Sequence, residues 1–429
     1  MKRPILHCFF LLVFYCQPVA SKETITQGKD EIVEFQIRGG LPNFNWKVSK
    51  GDSVKVAYLG GSITAQNGWR VLSYNWFNER FPNARFSEIN AAIGGTGSDF
   101  GVFRLNDHVL KFKPDLVFVE FAVNDGNTPA EKIIRSMEGI VRQIWQQNPR
   151  TDICFVYTIT EQELRAELNG QLPASVAAME QVADKYHIPT INFGCEVCKL
   201  VKNNQLVMRG VGQELNGIKV FSSDGVHPFI ETGHLIYFNV LKRSFETMFA
   251  VNRTKSQKHL LPEHIAANCF SNTQMIDINK VELSNNWQII QTADQSVMQT
   301  FGSYVKTFGK ASQSGETLTL RFKGRTIGVY DIMGPDAGRV IVEIDGSIRD
   351  TISRFDAFCT YWRMNYFLID HLENKEHLVV FRVLSDPFDK ALILKKNGNV
   401  IGNQSDYNEN VWYVGKVLLD GKLISTIVN

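Results

Sequence analysis

The chain contains 429 residues, more than one ordinary domain needs, and 44% of them are hydrophobic. We therefore expect at least two folded units, each with its own apolar core. The 46 Lys and Arg residues nearly balance the 44 Asp and Glu residues, so the formal net charge is only +2, and no stretch gathers the basic residues into a stripe. This charge distribution disfavours nucleic acid as a partner.

The N-terminus has the pattern of an export signal. Lys2 and Arg3 carry positive charge, an apolar stretch follows over 5–15, and small residues come next. That stretch is shorter than the roughly 20 residues that span a bilayer. We predict a signal peptide over 1–21 and a mature protein outside the cytoplasm, either secreted or, in a Gram-negative source, periplasmic, with no integral membrane segment. Lipid modification of Cys16 is the alternative, but the two bulky aromatic residues before it fit a lipoprotein cleavage site poorly.

Apolar runs alternate with helical patterns from about residue 54 to residue 249, which is typical of strand–helix units around a parallel sheet. The predicted strands cover 54–59, 86–89, 116–121, 153–158 and 190–193. The predicted helices cover 68–80, 103–112, 130–147, 175–187 and 231–249. Several strands are apolar throughout, as expected where helices cover both faces of a sheet. The sequence thus predicts a three-layer α/β domain within 22–250.

The pattern changes after a polar segment at 251–268, which we interpret as a linker. Short apolar runs at 317–322, 326–332, 340–344, 378–383 and 411–419 are separated by turn sequences such as Asp345-Gly346. This pattern predicts an antiparallel β-sandwich over 269–429. Five aromatic residues in this part either stack on sugar rings or fill the core, and the core is the commoner use; they are Trp287, Tyr361, Trp362, Trp412 and Tyr413.

Five cysteines remain after the signal peptide, and an odd number disfavours a disulfide framework. Cys195 and Cys198 are separated by two residues, but a zinc site needs two further ligands and only His187 lies nearby in the sequence. The pair therefore forms either a local disulfide or two unreactive thiols.

The polar residues of interest follow predicted strands, where open α/β sheets bind their ligands. Ser62 follows the first strand after two glycines, Gly95 lies in the glycine-rich segment after the second strand, and Asn124 follows the third. Asp224 and His227 are expected after the fifth strand and before the last helix. These five residues are expected to meet at one edge of the sheet.

A serine hydroxyl becomes an effective nucleophile when a base takes its proton and an acidic group orients that base. Asp224 and His227 supply both groups for Ser62, which favours a serine hydrolase. A phosphate-binding loop is disfavoured because no lysine follows in the required place. A metal site built from Asp224, His227 and His234 would leave Ser62 and Asn124 without a role.

This ordered set resembles the SGNH hydrolases, also called GDSL esterases and lipases, over about 54–241. The resemblance implies a flavodoxin-like α/β fold, Ser62 as nucleophile, and His227 and Asp224 as base and orienting acid. It also implies an oxyanion held by the backbone amides of Ser62 and Gly95, with Gly94 the adjacent alternative, and by the Asn124 side chain. No cofactor or metal is implied.

One position departs from the family pattern. The family name spells glycine, aspartate, serine, leucine, whereas this chain has Gly61 where the aspartate stands. The departure leaves the nucleophile and its base unchanged.

The resemblance, the export signal and the added β part together predict an esterase that acts in polysaccharide degradation. It is expected to remove small acyl groups, and acetyl above all, from a carbohydrate. A lipase or thioesterase of the same family is the nearest alternative, and an inactive carbohydrate-binding protein is the alternative from another class. We expect a chain ending near residue 249 to keep activity on small esters but to lose it on polymers, with the β part recruiting the polymer. The sequence does not indicate the oligomeric state.

Overall fold

The computed structural model describes residues 32–250, 255–294, 299–384 and 386–425. The predicted signal peptide at 1–21 lies outside the described residues. Among those residues, no helix is both long and apolar enough to cross a bilayer.

A six-stranded sheet lies at the centre of the first part. Its strands, in chain order, are β1 Phe35–Gln36, β2 Ser53–Gly60, β3 Arg85–Ala92, β4 Leu116–Glu120, β5 Asp152–Tyr157 and β6 Thr190–Asn192. The spatial order is β1-β6-β5-β4-β2-β3, and all neighbours are parallel except β1, which pairs with β6 antiparallel. The five predicted strands are confirmed. The two-residue edge strand β1 has no signal of its own in the sequence.

Helices cover both faces of this sheet. They are α1 Pro42–Lys50, α2 Ser62–Ala65, α3 Trp69–Arg80, α4 Ser98–His108, α5 Ala130–Gln147, α6 Glu161–Leu168, α7 Ala174–Tyr186, α8 Gly194–Lys202 and α9 Leu235–Ala250. A 3₁₀ turn, Leu110–Phe112, follows α4, and a π-helical turn, Ile230–His234, leads into α9.

Two apolar clusters separate the faces of the sheet. Alternate residues of β2 point to opposite sides, so Ala57 and Leu59 join the cluster formed with α4, α5 and α7. Val56 and Tyr58 join the cluster formed with α1, α3, α8 and α9. The predicted three-layer arrangement is therefore confirmed.

A small second sheet lies between α8 and α9. It consists of β7 Leu206–Arg209, β8 Glu214–Leu215 and β9 Ile218–Ser222, in the spatial order β7-β9-β8. The sequence analysis expected Asp224 and His227 directly after the fifth strand of the main sheet. In the structure they follow β9 instead. The difference arises because α8 and these short, partly exposed strands interrupt the regular alternation that the prediction relied on.

The second part is an antiparallel β fold. Its strands are β10 Thr273–Asp277, β11 Glu282–Leu283, β12 Gln288–Gln291, β13 Thr307–Ala311, β14 Thr317–Met333, β15 Arg339–Ile344, β16 Ser347–Ser353, β17 Arg363–Ile369, β18 Lys375–Leu384 and β19 Trp412–Ser425. A short helix, α10 Lys390–Lys395, and 3₁₀ turns at Ile278–Lys280, Thr292–Asp294 and Gln404–Tyr407 complete it.

The long strand β14 organises this part. One edge pairs with β19, while on the other edge the first half pairs with β18 and the second half with β17. The two strands expected at 317–322 and 326–332 are thus one strand. Asp345 and Gly346 have φ values of 54° and 79° in the predicted two-residue turn between β15 and β16. The predicted antiparallel β class is confirmed.

The segment between the two parts is anchored to the α/β layers. His259 stacks on Trp145 with 4.6 Å between ring centroids, and its Nε2 lies 2.7 Å from the buried carboxylate of Asp152. Further along, Glu138 accepts hydrogen bonds from the backbone N–H groups of residues 265 and 266. These contacts with the buried carboxylates of Asp152 and Glu138 hold the described part of the predicted linker against the fold.

Candidate active site

Ser62 lies where β2 ends and the short helix α2 begins. Gly61 precedes it with its backbone extended, and a Cβ atom placed there would lie 1.8 Å from Oδ1 of Asn124. The Asn124 side chain, which follows β4, therefore occupies the space beside the Ser62 turn. Ser62 itself is half-buried.

Three side chains form a hydrogen-bonded chain at this edge of the sheet. His227 Nε2 lies 2.9 Å from Ser62 Oγ, and His227 Nδ1 lies 2.7 Å from Asp224 Oδ2. The His227 side chain is 42% exposed and that of Asp224 is 49% exposed, so solvent reaches both. The structure thus brings together three residues that are up to 165 positions apart.

The loop after β9 fixes Asp224 relative to His227. Asp224 Oδ1 accepts hydrogen bonds of 2.8 Å from the backbone N–H groups of both Val226 and His227. Gly225 has a φ of 81°, a conformation that favours glycine, and its N–H donates to Ser222 Oγ at 2.8 Å. Slight burial opposes ionisation, but the hydrogen bonds from His227 and Val226 prevail and lower the pKa of Asp224 to about 2. Asp224 is therefore a carboxylate at neutral pH.

His234 has a structural role in this neighbourhood. It is fully buried, its Nδ1 accepts a hydrogen bond from the Trp69 backbone at 3.2 Å, and its Nε2 lies 3.1 Å from Gln66 Oε1. Burial lowers the pKa of His234 to about 4, so the ring is neutral. Trp69 is fully buried, and Arg70 bonds the carbonyl of Thr64, so both support the turn after Ser62.

The glycine-rich loop between β3 and α4 lies next to Ser62. Gly95 has a φ of 71° and is exposed. A Cβ placed on Gly94 would lie 3.5 Å from the Ser62 Cβ, so the loop passes directly beside the serine. The choice of Gly95 over Gly94 as the source of an oxyanion-binding amide stays a prediction.

Two buried carboxylates lie beneath these loops, and the sequence analysis assigned neither a role. Glu120, at the end of β4, accepts hydrogen bonds from Thr64 Oγ1 at 2.7 Å and Thr158 Oγ1 at 2.6 Å, and burial raises its pKa. Asp125 is fully buried, accepts the Ser98 backbone N–H at 3.0 Å, and has its pKa raised to about 7 by burial. Position after a strand was the only available signal for either residue.

A cavity of about 800 Å³ opens beside Asp224. The loops after β4 and β9, the start of α6 and the end of β7 line it. Most of the lining residues are polar or charged, including Asn127, Glu161, Arg165 and Arg209. Arg209 and Glu161 form an exposed ion pair of 2.9 Å across this surface. The cavity therefore favours a polar ligand beside Asp224, which is the one residue of the Ser62–His227–Asp224 set that lines it.

One group of side chains in the described chain has the proximity of metal ligands. Ligand atoms of Glu138, His264 and Cys269 lie within 4.8 Å of one another. The Glu138 carboxylate already accepts backbone hydrogen bonds, and His264 Nδ1 lies 3.1 Å from Cys269 Sγ, so the cluster joins the linker segment to α5. Cys195 and Cys198 are free thiols whose pKa values are raised by burial.

Residues 58–228 match the model of the GDSL-like lipase/acylhydrolase family. These residues form a GDSL-like lipase/acylhydrolase domain. The predicted resemblance is thereby confirmed, and the domain is a carboxylic ester hydrolase. All five predicted site residues lie within the hydrolase domain.

Solved structures extend the likeness beyond the hydrolase domain. A two-domain esterase active on acetylated mannans, co-crystallised with mannopentaose, is 21% identical to this chain, with a TM-score of 0.66 over 89% of this chain and 94% of that chain. A second structure of such an esterase is also 21% identical and gives a TM-score of 0.68 over 89% and 95% of the two chains. No curated protein matches the chain. The hydrolase domain and the β part thus share their overall fold with a known two-domain architecture.

Proposed function

We propose that the protein is a serine esterase that removes O-acetyl groups from a carbohydrate. The observation that carries the proposal is the continuous contact from Ser62 Oγ through His227 to Asp224, with distances of 2.9 and 2.7 Å. An imidazole in this position can accept a proton from the serine and return it to a leaving alcohol. The two domains of the mannan esterases, and the polar cavity beside Asp224, support a carbohydrate as the alcohol part of the ester.

The proposed reaction has two halves. In the first, His227 takes the Ser62 hydroxyl proton while Oγ attacks the acetyl carbonyl carbon, and the resulting tetrahedral intermediate expels the sugar oxygen, which receives that proton from His227. In the second, His227 deprotonates water, the hydroxide attacks the acetyl-serine, and Ser62 leaves with the proton as acetate is released. Asp224 holds the imidazole in orientation and stabilises its protonated form.

The negative oxygen of each intermediate needs donors placed before the reaction begins. We assign this role to the backbone N–H groups of Ser62 and Gly95 and to the Asn124 side-chain amide. Each such donor is typically worth about 3–4 kcal/mol of the barrier. Asn124 is half-buried against the serine turn, which supports its assignment.

A long-chain lipase is the nearest alternative, and the site gives it less support. A lipase needs an apolar surface for its acyl chain, whereas the cavity beside Asp224 is lined by charged groups such as Glu161 and Arg165. We also propose that the protein acts outside the cytoplasm, because the pattern over 1–21 predicts an export signal. N-terminal sequencing of the exported protein should find its first residue near position 22.

The test is to compare the wild-type protein with Ser62→Ala. Acetate release is measured from acetylated mannan and acetylated xylan, and 4-nitrophenyl acetate is compared with a 4-nitrophenyl ester of a long fatty acid. We expect Ser62→Ala to lower turnover by roughly 10⁴-fold or more. Ser87→Ala, at an exposed serine of β3, is the matched control and should retain activity. Turnover that survives in Ser62→Ala contradicts the mechanism, and a preference for the long-chain ester contradicts the substrate.

A further inference from the structure

The proposed oxyanion loop, 93–97, joins the end of β3 to the start of α4. Its first residue is tied to the serine strand, because the Ile93 N–H donates to the Gly60 carbonyl at 3.0 Å. Within the loop, Thr96 Oγ1 donates to the Ile93 carbonyl at 2.8 Å. The far end of the loop is the N-terminus of α4, so whatever fixes that helix end also fixes Gly95.

The N-terminus of α4 lacks a capping side chain of its own. A helix leaves its first backbone N–H groups without partners inside the helix, and a polar side chain usually accepts one of them. Here the capping position is Gly97, which has no side chain. Asp125 accepts the Ser98 N–H instead. A Cβ on residue 97 would lie 2.4 Å from Asp125 Oδ1, so glycine is required at this position.

A second contact that holds the N-terminus of α4 comes from Tyr366, on β17 of the β part. Its hydroxyl donates to Asp99 Oδ1 at 2.6 Å. Its ring stacks on Phe100 with 4.7 Å between centroids and an interplanar angle of 16°. The other oxygen of Asp99 pairs with Lys132 at 2.6 Å. Tyr366 therefore touches the first turn of α4 at Asp99, four residues beyond Gly95.

We propose that Tyr366 is a positioning residue for the oxyanion site, through which the β part completes the active site of the α/β part. The inference rests on the proposed function, because it assumes that the backbone amide of Gly95 binds the oxyanion. Tyr366 acts on the reaction through the loop and does not itself touch the substrate. A displacement of about 1 Å in an active-site group can cost about 10²-fold in rate, and a lost oxyanion donor costs a similar factor.

The test compares Tyr366→Phe with Tyr413→Phe. Each change removes one tyrosine hydroxyl that donates to an aspartate, but Tyr413 bonds Asp336 within the β part at 2.8 Å and does not reach the loop. In Tyr366→Phe the ring remains stacked on Phe100. We expect kcat for 4-nitrophenyl acetate to fall roughly ten-fold in Tyr366→Phe with KM within about two-fold of wild type. Tyr413→Phe should retain the wild-type kcat.

Two further measurements separate positioning from a general loss of stability. Hydrogen exchange of the 94–101 peptide should become faster in Tyr366→Phe and stay unchanged in Tyr413→Phe. Asp99→Ala should lower kcat to a similar degree, and combining it with Tyr366→Phe should add little, since both act through one contact. Equal kcat in the two tyrosine variants, or unchanged exchange in Tyr366→Phe, overturns the proposal while leaving the proposed function intact. Turnover by Ser62→Ala would instead overturn the proposed function, and the positioning role with it.

Discussion

Beside the proposed nucleophile, the Asn124 side chain fills the space that a side chain at position 61 would need. The family name has an aspartate where this chain has Gly61, and the structure gives a physical reason for the glycine. A Cβ at that position would lie 1.8 Å from Asn124 Oδ1 and 2.7 Å from its Cγ. No L-residue with a side chain fits there unless Asn124 moves, so the glycine and the asparagine form one arrangement.

This coupling leads to a prediction for Gly61→Ala. The added methyl group should displace the Asn124 amide and lower kcat for 4-nitrophenyl acetate by roughly 10²–10³-fold, as Asn124→Ala itself should. KM should change little in either variant, because the donor acts mainly on the transition state. Steady-state kinetics of the two single variants and the double variant provide the measurement.

The double variant should be no slower than the slower single variant, because the amide can be lost only once. Gly402→Ala is the matched control, since a Cβ at position 402 meets nothing within 4 Å and the site is in the β part. A wild-type kcat in Gly61→Ala, or fully additive losses in the double variant, would contradict the coupling.

The sequence predicted that Asp224 and His227 lie close to Ser62, and the structure brings the three residues together. Asp224 contacts His227, three positions away, and His227 contacts Ser62. The expectation came from this spacing and from the family resemblance, whereas the strand to which the pair was assigned was wrong. Glu120 and Asp125 were less accessible to prediction. Their importance depends on burial and on backbone partners such as Ser98, 27 positions away from Asp125, and no periodic pattern encodes such a contact.

At the scale of elements, the N-terminus of α4 is held by a carboxylate with an altered pKa. Burial raises the pKa of Asp125 from 3.8 to about 7. A raised carboxyl pKa means that the folded state holds the proton more tightly than the unfolded state. Protonation of Asp125 therefore stabilises the folded state. This contribution to the free energy of unfolding is complete below about pH 4 and is lost as the pH rises towards 7.

Asp125→Asn should remove this pH dependence. The asparagine carbonyl can still accept the Ser98 N–H, but the side chain does not titrate. The wild-type unfolding free energy should therefore fall relative to that of the variant between pH 4 and 7, by at most about 1.4 kcal/mol per pH unit. Chemical denaturation of both proteins across that range measures the difference. A difference that stays constant with pH would contradict the assignment.

Elements with a long, regular pattern were the predictable ones. The strands of the main sheet are apolar on both faces because helices cover both, and this produces continuous apolar runs that a sequence reveals. The sheet of β7, β8 and β9 is short and partly exposed, so it lacks such runs. Its omission is the reason that Asp224 and His227 were assigned to the end of the fifth strand.

At the scale of the whole molecule, the two parts share one apolar cluster. It contains Phe100 and Phe103 of α4 together with Tyr330 of β14 and Phe270, which precedes β10. Phe100 lies 4.5 Å from the Tyr330 ring, and Phe103 lies 5.5 Å from the Phe270 ring, between centroids. The sequence shows that one face of α4 is apolar, but it does not indicate which part of the chain covers that face.

Polar contacts cross the same boundary. Arg135 of α5 forms two hydrogen bonds with Asp370, of 2.7 and 3.1 Å, and its side chain is only 2% exposed. Gln143 donates to both the Phe270 carbonyl and Thr273 Oγ1. These directional contacts fix the β part in one orientation on α5, which a domain that served only to recruit polymer would not require.

The shared cluster argues against the sequence-based expectation that a chain ending near residue 249 keeps its activity on small esters. Truncation after residue 250 would expose Phe100 and Phe103, and each would lose roughly 1.5–3 kcal/mol of the free energy gained from burying its side chain. Truncation would also remove Tyr366. We expect the 22–250 fragment to unfold at a lower temperature than the full chain and to hydrolyse 4-nitrophenyl acetate poorly. Co-expression with 251–429 should restore turnover, because it returns both the apolar cover and the tyrosine. A soluble fragment with the unfolding temperature and kcat of the full chain would show instead that the β part is dispensable for the chemistry.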